Sequence, residues 1–443
     1  MRIFHLFTAA FIYFALGTLF EAHIGPAGAG LAIMLAIAWL WVSEALHVSV
    51  TALLVPLLAG TSGILAFDQA LLQFADPVIF LFLGGFALAA GLQQQGLDRW
   101  MAAWVIGKAG NRLDRAARYL FWVTALLSMW ISNTATAAMV LPLALGLLSP
   151  LDPHRHRATW TYVLLGVAFS ANVGGLGTLV GSPPNAIAAS AAGIPFAQWM
   201  IWGVPLVLVS LPAMEWALRA AFRPQLDVAV SAPDQAQATR WGRPQCLMLG
   251  VFALTVLLWM AGGPLGQAIG FTRGYEAAVA LLALVLLHAL GLARWKEIEK
   301  SADWGVLLLF GGGLTLSRVI AESGAGAWLA GTLGTWLAPM PVVAALVLMM
   351  LFGLLLTEVT SNTASAALLI PLFVGMAPQI DGLAIAVCVA VATSCAFMLP
   401  VATPPNAIVF GTGHVPQRSM IVGGLWVSAA LLPALVALAA LLA

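Results

Sequence analysis

The sequence predicts an all-α integral membrane protein that is built from two related halves. The chain has 443 residues, of which 62% are hydrophobic and only 8% are charged. Soluble domains carry about 25% charged residues, so this composition indicates a membrane protein. Two phrases also occur twice. SNTATAAMVLP (Ser132–Pro142) returns as SNTASAALLIP (Ser361–Pro371), and GSPPNAI (Gly181–Ile187) returns as ATPPNAI (Ala402–Ile408).

The hydrophobic segments predict about eleven transmembrane helices. A helix needs about 20 apolar residues to cross a hydrocarbon core that is ~30 Å thick. We interpret the first segment as a retained span, because no small-residue cleavage site of a signal peptide follows it. The spans are expected at residues 3–20, 27–44, 48–65, 77–95, 158–180, 199–220, 246–262, 275–292, 304–321, 383–400 and 421–441.

Two further apolar segments, 112–149 and 341–378, are each interrupted near the middle by an SNT phrase. This pattern favours a re-entrant hairpin, which enters the membrane and returns on the same side. Non-helical backbone is tolerated at that depth only where protein buries it or where it lines a wet cavity. A pair of ordinary spans is the alternative.

The Pro-Pro-Asn triplets at 183–185 and 404–406 predict a break inside the spans 158–192 and 383–413. Proline cannot donate the backbone hydrogen bond that a helix needs, so each triplet should leave carbonyl groups free. The asparagine of each triplet can then satisfy some of these groups.

The duplicated phrases divide the chain into an N-terminal span (1–26), a first repeat (27–221), a cytoplasmic linker (222–245) and a second repeat (246–443). With five spans and one hairpin in each repeat, the second repeat enters the membrane inverted. Inverted repeats are typical of secondary transporters, whose site lies near the midplane where the repeats meet. Within the repeats we expect early spans at 27–110 and 246–321, hairpins at 112–149 and 341–378, broken spans at 158–192 and 383–413, and final spans at 199–220 and 421–441.

The basic residues predict the orientation in the cytoplasmic membrane. The chain has 18 Lys and Arg residues, and in this arrangement only Arg273 and Arg318 fall on the outer side. Cytoplasmic loops are enriched in Lys and Arg, so the N-terminus is expected inside and the C-terminus outside.

The SNT phrases bring helix ends and polar oxygens to one depth in the membrane. Serine and asparagine favour the N-cap position, and the next helix offers unpaired N–H groups with a partial positive charge. Such an end attracts an anion without any lysine or arginine. The carbonyls of the preceding helix, with hydroxyl and amide oxygens, suit a hard cation such as Na⁺.

Close packing by small residues is the simpler explanation for such motifs. We adopt it for Gly84-Gly85 and Gly311–Gly313, but packing alone would not require Asn-Thr and Pro-Pro-Asn at matching places in both halves. A membrane enzyme would need a nucleophile or metal motif, and a sensor would need an appended soluble domain. Neither is found, and the net charge of +1 indicates no nucleic-acid partner.

Among the ionisable residues within or at the ends of apolar segments, Glu44, His47 and Glu358 are candidates for a role in the site. An ionisable group inside a membrane is a functional hypothesis by default. Because none of the three is duplicated, we expect a hydrogen-bonded structural role for each. The three cysteines are expected to be buried free thiols.

The duplicated phrases, together with DPVIFLFLGGF (Asp76–Phe86) and SCAFMLPVATPPNAIVFG (Ser394–Gly411), resemble those of the divalent anion/sodium symporter family. The likeness runs from about Trp41 to Gly411. It implies a homodimer in which a transport domain moves against a fixed scaffold as an elevator. It also implies a C4-dicarboxylate such as succinate or malate, or citrate, as cargo and Na⁺ as the coupling ion, with no other cofactor. Some relatives carry sulfate, and some exchange dicarboxylates without sodium.

The resemblance also implies site residues. Substrate contacts fall on Asn133, Thr134, Ser182, Asn362, Thr363, Thr403 and Pro404. One sodium site maps to Ser128, Ser132, Asn133 and Gly181. The other maps to Thr357, Thr360, Ser361, Asn362 and Ala402.

Overall fold

A computed structural model describes residues 2–108, 112–228, 241–271, 273–337 and 339–443. The described residues form helices that are joined by turns and short loops. The predicted all-α membrane fold is therefore confirmed. Eight helices in these ranges are long and apolar enough to cross a membrane: Arg2–Ile24, Pro26–Ser43, Phe67–Gln94, Arg157–Gly177, Phe196–Phe222, Arg243–Met260, Trp304–Glu322 and Gln417–Leu442.

Three of the eleven predicted spans form shorter helices, at Val48–Thr61, Tyr275–Ala289 and Gly382–Ser394. The first of these has 14 residues and is therefore about 21 Å long at 1.5 Å per residue. Such a helix is shorter than a ~30 Å hydrocarbon core. The count of eleven spans thus stays a prediction.

Each SNT phrase joins two short helices. The first hairpin consists of Leu113–Ser128 and Asn133–Leu148, and the second of Val342–Thr357 and Asn362–Met376. The arms have 15 or 16 residues and are thus only about 24 Å long. This length suits a hairpin that turns back within the membrane.

The two broken spans lie at the centre of the molecule. The first consists of Arg157–Gly174 and Pro183–Ala192, and the second of Gly382–Ser394 and Pro404–Phe410. Every residue from 159 to 174 is buried. Each part of one broken span packs against a part of the other, so the core of the protein is shared between the two repeats.

In two pairs of outer helices, a helix of one repeat also packs against a helix of the other repeat. Pro77–Gln94 packs along Tyr275–Ala289, and its counterpart Trp304–Glu322 packs along Val48–Thr61. Glycine permits the close approach in both pairs. A Cβ at Gly84 would lie 2.5 Å from the Cβ of Ala280, and one at Gly312 would lie 2.6 Å from the carbonyl oxygen of Ala52.

Other helices connect these elements or cover them. Phe196–Phe222 packs along Gln417–Leu442. The linker 222–245 begins where the former helix ends, and its residues 229–240 lie outside the described part of the chain. The span Phe67–Gln94 begins with the short helix Phe67–Leu72, and further short helices are Leu97–Gly107, Gly262–Ala268, Trp295–Ser301 and Ala325–Leu337.

Two of the three cysteines are buried as expected, and one is not. Cys388 and Cys395 are buried, but Cys246 is exposed. The prediction was wrong for Cys246 because it lies near the start of the helix Arg243–Met260, and only 22% of that span is buried within the protein.

Replacing Gly312 with alanine should destabilise the protein, because the new methyl group would meet the backbone of Ala52. Overpacking of this kind costs about 1–3 kcal/mol. Gly250→Ala is the matched control, since nothing lies within 4 Å of a Cβ at Gly250. We expect purified Gly312→Ala to unfold at a lower temperature than the wild type and Gly250→Ala not to. Equal unfolding temperatures for the two variants would contradict the close packing.

Candidate functional site

The first hairpin ends in a cluster of oxygen atoms around the side chain of Asn133. One amide atom of Asn133 lies 2.6 Å from the Ser128 hydroxyl, 3.2 Å from the Ala171 carbonyl oxygen and 3.1 Å from the Gly181 carbonyl oxygen. Carbonyl oxygens only accept hydrogen bonds, so the amide nitrogen occupies this position when protein atoms alone satisfy it. Three of the predicted sodium ligands, Ser128, Asn133 and Gly181, thus meet at one point.

The second hairpin builds a corresponding cluster around Thr357. The Thr357 hydroxyl lies 2.7 Å from Oδ1 of Asn362 and 2.7 Å from the carbonyl oxygen of Thr393. Thr357 and Asn362 have the same five-residue spacing as Ser128 and Asn133. A hydroxyl carries one hydrogen, so it donates to only one of its two acceptors at a time.

The asparagines of the Pro-Pro-Asn triplets donate hydrogen bonds to the backbone carbonyls that the breaks leave free. The amide nitrogen of Asn185 donates to the carbonyls ten and seven residues before it, both at 2.8 Å. Asn406 donates to the carbonyls at the same two offsets, at 3.3 and 3.1 Å. The freed carbonyls therefore have the partners that the sequence predicted for them.

A glycine in the first break allows the hairpin tip to come close. A Cβ at Gly175 would lie 2.6 Å from the amide atom of Asn133 that faces Ser128. The stretch Gly175–Gly181 thus provides room for the side chain of the SNT asparagine.

Hydrogen bonds across the repeats hold the two breaks together. The amide nitrogen of Asn172, in the first broken span, donates to Oγ1 of Thr403 at 3.1 Å and to Oδ1 of Asn406 at 3.4 Å. The hydroxyls of Ser182 and Ser394 lie 3.3 Å apart. All five side chains are at most 3% exposed. The two halves of the site are therefore connected to each other directly.

The residues predicted to contact substrate differ in exposure. Thr403 accepts from Asn172 and from the backbone of Asn406, so its hydroxyl has partners within the protein. At the tips, Asn133 and Asn362 are half-buried, Thr134 and Pro404 are exposed, and Thr363, Ser182 and Thr403 are buried.

The remaining predicted sodium ligands are used in local structure. Ser132 and Ser361 are N-caps, and their hydroxyls accept from the backbone N–H three residues further on, at 3.3 and 3.1 Å. The Thr360 hydroxyl lies 2.6 Å from that of Ser365. Ala402 is buried.

Comparisons with known proteins identify the family. A family model described as citrate transporter matches residues 38–392. The chain belongs to the citrate transporter family. The predicted membership of the divalent anion/sodium symporters is confirmed with it, and the protein is a transporter rather than an enzyme.

Similar proteins are found among the transporters of bacteria. A Haemophilus influenzae protein described as an uncharacterized transporter is 46% identical over 89% of this chain and 87% of its own length. The sodium-dependent dicarboxylate transporter SdcS of Staphylococcus saprophyticus is 34% identical over 90% of this chain and 82% of its own length. These relatives cover nearly the whole chain.

Two solved structures share the fold. The YdaH transporter of Alcanivorax borkumensis aligns with a TM-score of 0.59 and 17% identity, over 85% of this chain and 87% of that one. MtrF of Neisseria gonorrhoeae aligns with a TM-score of 0.57 and 14% identity, over 86% and 85%. At these identities the likeness concerns the fold alone.

The three isolated ionisable groups occupy different places in this member of the citrate transporter family. Glu44 and His47 are exposed, and Nδ1 of His47 accepts from the backbone N–H of Ser49 at the start of a helix. Glu358 is buried and accepts hydrogen bonds from the backbone of the second broken span. Glu358 and His47 therefore have structural partners, and Glu44 is exposed. None of the three belongs to the predicted substrate set.

Several residues around the site were missed from the sequence. Asn172, Thr178 and Ser394 are buried and bonded to the breaks or the hairpin tips, yet none belongs to a duplicated phrase. A polar side chain within an apolar span is itself a signal, because it needs a partner in the membrane. For Asn172 that signal was present.

Asn172→Ala should destabilise the citrate-transporter fold at its centre. The change removes a donor that three buried acceptors share, and Oδ1 of Asn406 loses its partner, which costs about 1–3 kcal/mol. Ser170→Ala is the matched control, since Ser170 lies on the same helix, is equally buried and makes only a 3.8 Å contact to a sulfur atom. We expect a lower unfolding temperature for the purified Asn172 variant only. The same temperature for both variants would show that the bonds across the repeats contribute little.

Proposed function

We propose that this protein imports a C4-dicarboxylate, such as succinate or malate, across the cytoplasmic membrane by Na⁺-coupled secondary transport. The matched oxygen clusters at Ser128–Asn133 and Thr357–Asn362 carry this proposal. The name of the SdcS relatives, sodium-dependent dicarboxylate transporters, supports it. The family description also keeps citrate as a possible cargo.

Each cluster fits a bound cation. Two acceptors share one hydroxyl hydrogen at Thr357, and at Asn133 a single amide atom faces two carbonyls and a hydroxyl. A hard cation prefers oxygen ligands, so Na⁺ would replace the missing donors. At Asn133 the amide would then turn its oxygen inward. Ser132, Thr360, Ser361 and Ala402 complete the proposed ligand sets through their hydroxyl or carbonyl oxygens.

The anion would bind between the tips of the two hairpins. The helices Asn133–Leu148 and Asn362–Met376 both begin there, and their N-terminal N–H groups attract negative charge. In this proposal Thr134, Thr363 and Pro404 would contact the anion at these ends, and Ser182 and Thr403 would complete the substrate set. No lysine or arginine occurs in the SNT or Pro-Pro-Asn phrases, so bound cations would balance most of the dianion's charge.

We propose an elevator motion in a homodimer. The hairpins and broken spans pack on one another and would move as one body. Trp130 at the first hairpin tip contacts Phe252 of the helix Arg243–Met260, with ring centroids 5.1 Å apart, and would slide along it. A monomer in size-exclusion chromatography with light scattering would contradict the dimer.

A sodium-independent dicarboxylate exchanger and a sulfate transporter remain the competing functions. Both would use the same anion site at the hairpin tips. They differ from the proposal in whether transport needs sodium and in the length of the anion.

Succinate uptake into proteoliposomes should require an inward sodium gradient, and potassium should not substitute for sodium. Ser132→Ala and Ser361→Ala should each raise the sodium concentration for half-maximal uptake, because they disturb the turns that hold the cation ligands. Liposomes loaded with succinate in the absence of sodium provide the control. Rapid exchange there, without sodium stimulation of net uptake, would establish the exchanger instead. If the liposomes take up sulfate but not succinate, the sulfate transporter would be favoured.

The orientation can be tested by cysteine labelling after the three native cysteines are replaced. Gln267 and Lys300 are both exposed. Gln267 precedes the helix Tyr275–Ala289 in sequence and Lys300 follows it. A cysteine at Gln267 should react with an impermeant maleimide added to intact cells, and one at Lys300 only after the cells are opened. A cysteine at Ser231 is also expected inside, although Ser231 lies outside the described residues. Labelling of both described positions from one side would contradict the inverted arrangement.

A further inference from the structure

A cavity lies between the first hairpin and two helices that are outside the hairpins and the broken spans. Its volume is about 190 Å³. The two helices are Leu97–Gly107 and Arg243–Met260. Part of the cavity wall thus belongs to the body that would move in the proposed elevator, and part does not. The residues that line it include Asp98, Trp100, Leu126, Trp130, Leu249 and Phe252.

The size and the opening of the cavity suit a small hydrophobic ligand. A cavity of about 150 Å³ with walls of Leu, Ile and Phe binds benzene, so this larger one has room for an aromatic ring with a short alkyl chain. Leu126 of the hairpin and Leu249 of the helix Arg243–Met260 line the cavity and are both exposed. Because both are apolar residues at the protein surface, a ligand that is dissolved in the membrane has an apolar entrance.

The cavity wall also contains a buried carboxyl group. Asp98 is 4% exposed, and its Oδ1 accepts from the backbone N–H of Arg99 at 2.7 Å. Burial raises the pKa of this carboxyl, because desolvation outweighs the backbone hydrogen bond and the charge of Arg99. No side chain in the described part of the chain donates a hydrogen bond to Asp98. The carboxyl group therefore lacks a direct cationic partner among the described residues.

We propose that this cavity binds a small hydrophobic amine, with the ammonium group at Asp98 and the apolar part among Trp100, Trp130 and Phe252. An ammonium beside a carboxyl group favours the ionised form of both. The faces of aromatic rings also attract cations, and tryptophan attracts them most strongly. A neutral ligand of the same shape gains only the apolar contacts, and an anion would be repelled by the carboxylate. This preference for a cation is opposite to that of the proposed cargo site, which takes an anion.

A bound amine would hold the first hairpin in place. This step rests on the proposed transport function. The walls at Trp130 and Phe252 belong to elements that would slide past each other, so the motion would open the cavity. A ligand shifts a conformational equilibrium by its difference in affinity for the two states. An amine in the cavity is therefore expected to slow transport without competing with the dicarboxylate.

Binding can be measured on the purified wild-type protein with compounds of one shape and different charge. Phenylbutylamine is the cation, phenylbutanol the neutral control and phenylbutyrate the anion. A ligand that binds the native state raises the unfolding temperature, and its concentration dependence gives the dissociation constant. We expect the amine to bind about tenfold more tightly than the alcohol, and the anion to cause no rise. Equal affinities for the amine and the alcohol would overturn the proposal.

Two pairs of proteins place the site in the cavity. Asp98→Asn keeps an acceptor for the N–H of Arg99 and removes the charge, so it should weaken amine binding about tenfold relative to the wild type and change alcohol binding less than about threefold. Leu249→Trp fills the entrance and should abolish the binding of both compounds. Leu254→Trp is the matched control, since Leu254 is exposed on the same helix and does not line the cavity.

Unchanged amine binding in Asp98→Asn, or equal binding in the two leucine variants, would contradict the assignment. If Asp98→Asn yields no folded protein, the comparison of amine with alcohol in the wild type and the leucine pair still decide it. Phosphatidylethanolamine also carries an ammonium group. If it displaces the amine and phosphatidylglycerol does not, a lipid occupies the cavity and the assignment to a small amine is wrong.

The effect on transport is measured by succinate uptake into proteoliposomes. Phenylbutylamine should lower the maximal rate and change the succinate concentration for half-maximal uptake less than about threefold, and Asp98→Asn should need about tenfold more amine for the same inhibition. Competition with succinate would place the amine at the cargo site and overturn the proposal. A wild type that takes up no succinate would contradict the proposed function and leave the binding measurements standing, which separates the two failures.

Discussion

The central constraint on this protein is that helix ends inside a membrane must find hydrogen-bond partners within the protein. Both broken spans and both hairpins stop near the middle of the molecule, and each stop frees backbone groups. Asn185 and Asn406 satisfy the carbonyls of the breaks, and Ser132 and Ser361 satisfy the N–H groups of the hairpins. The same groups that satisfy this constraint form the candidate site, so stability and function share one set of atoms.

Sharing between the repeats follows from this arrangement. Asn172 of the first repeat serves the break of the second, and Ser182 lies against Ser394. The outer helices of the two repeats also pack against each other, with close contacts at Gly84 and Gly312. The core of this citrate-transporter fold is therefore shared between the two repeats.

The fold was predictable because hydrophobic length and duplicated phrases are local properties of a sequence. Hydropathy located the helices, and the repetition of SNT and Pro-Pro-Asn located the turns and breaks. The partners of buried polar groups were not predictable in the same way, because Asn172 and Thr403 are 231 residues apart. The sequence also gave no indication that Thr134 is exposed while its counterpart Thr363 is buried. That difference depends on how the two hairpins are covered by neighbouring helices.

The distance in sequence between Asn172 and Thr403 has a consequence for biosynthesis. Ribosomes add about 5–20 residues per second, so 231 residues require roughly 10–50 s. For that time the amide of Asn172 is present in the nascent chain without its final acceptors. An unpaired amide is costly in lipid. The first broken span is therefore expected to remain hydrated, or to be shielded by the insertion machinery, until residues 396–406 have been made.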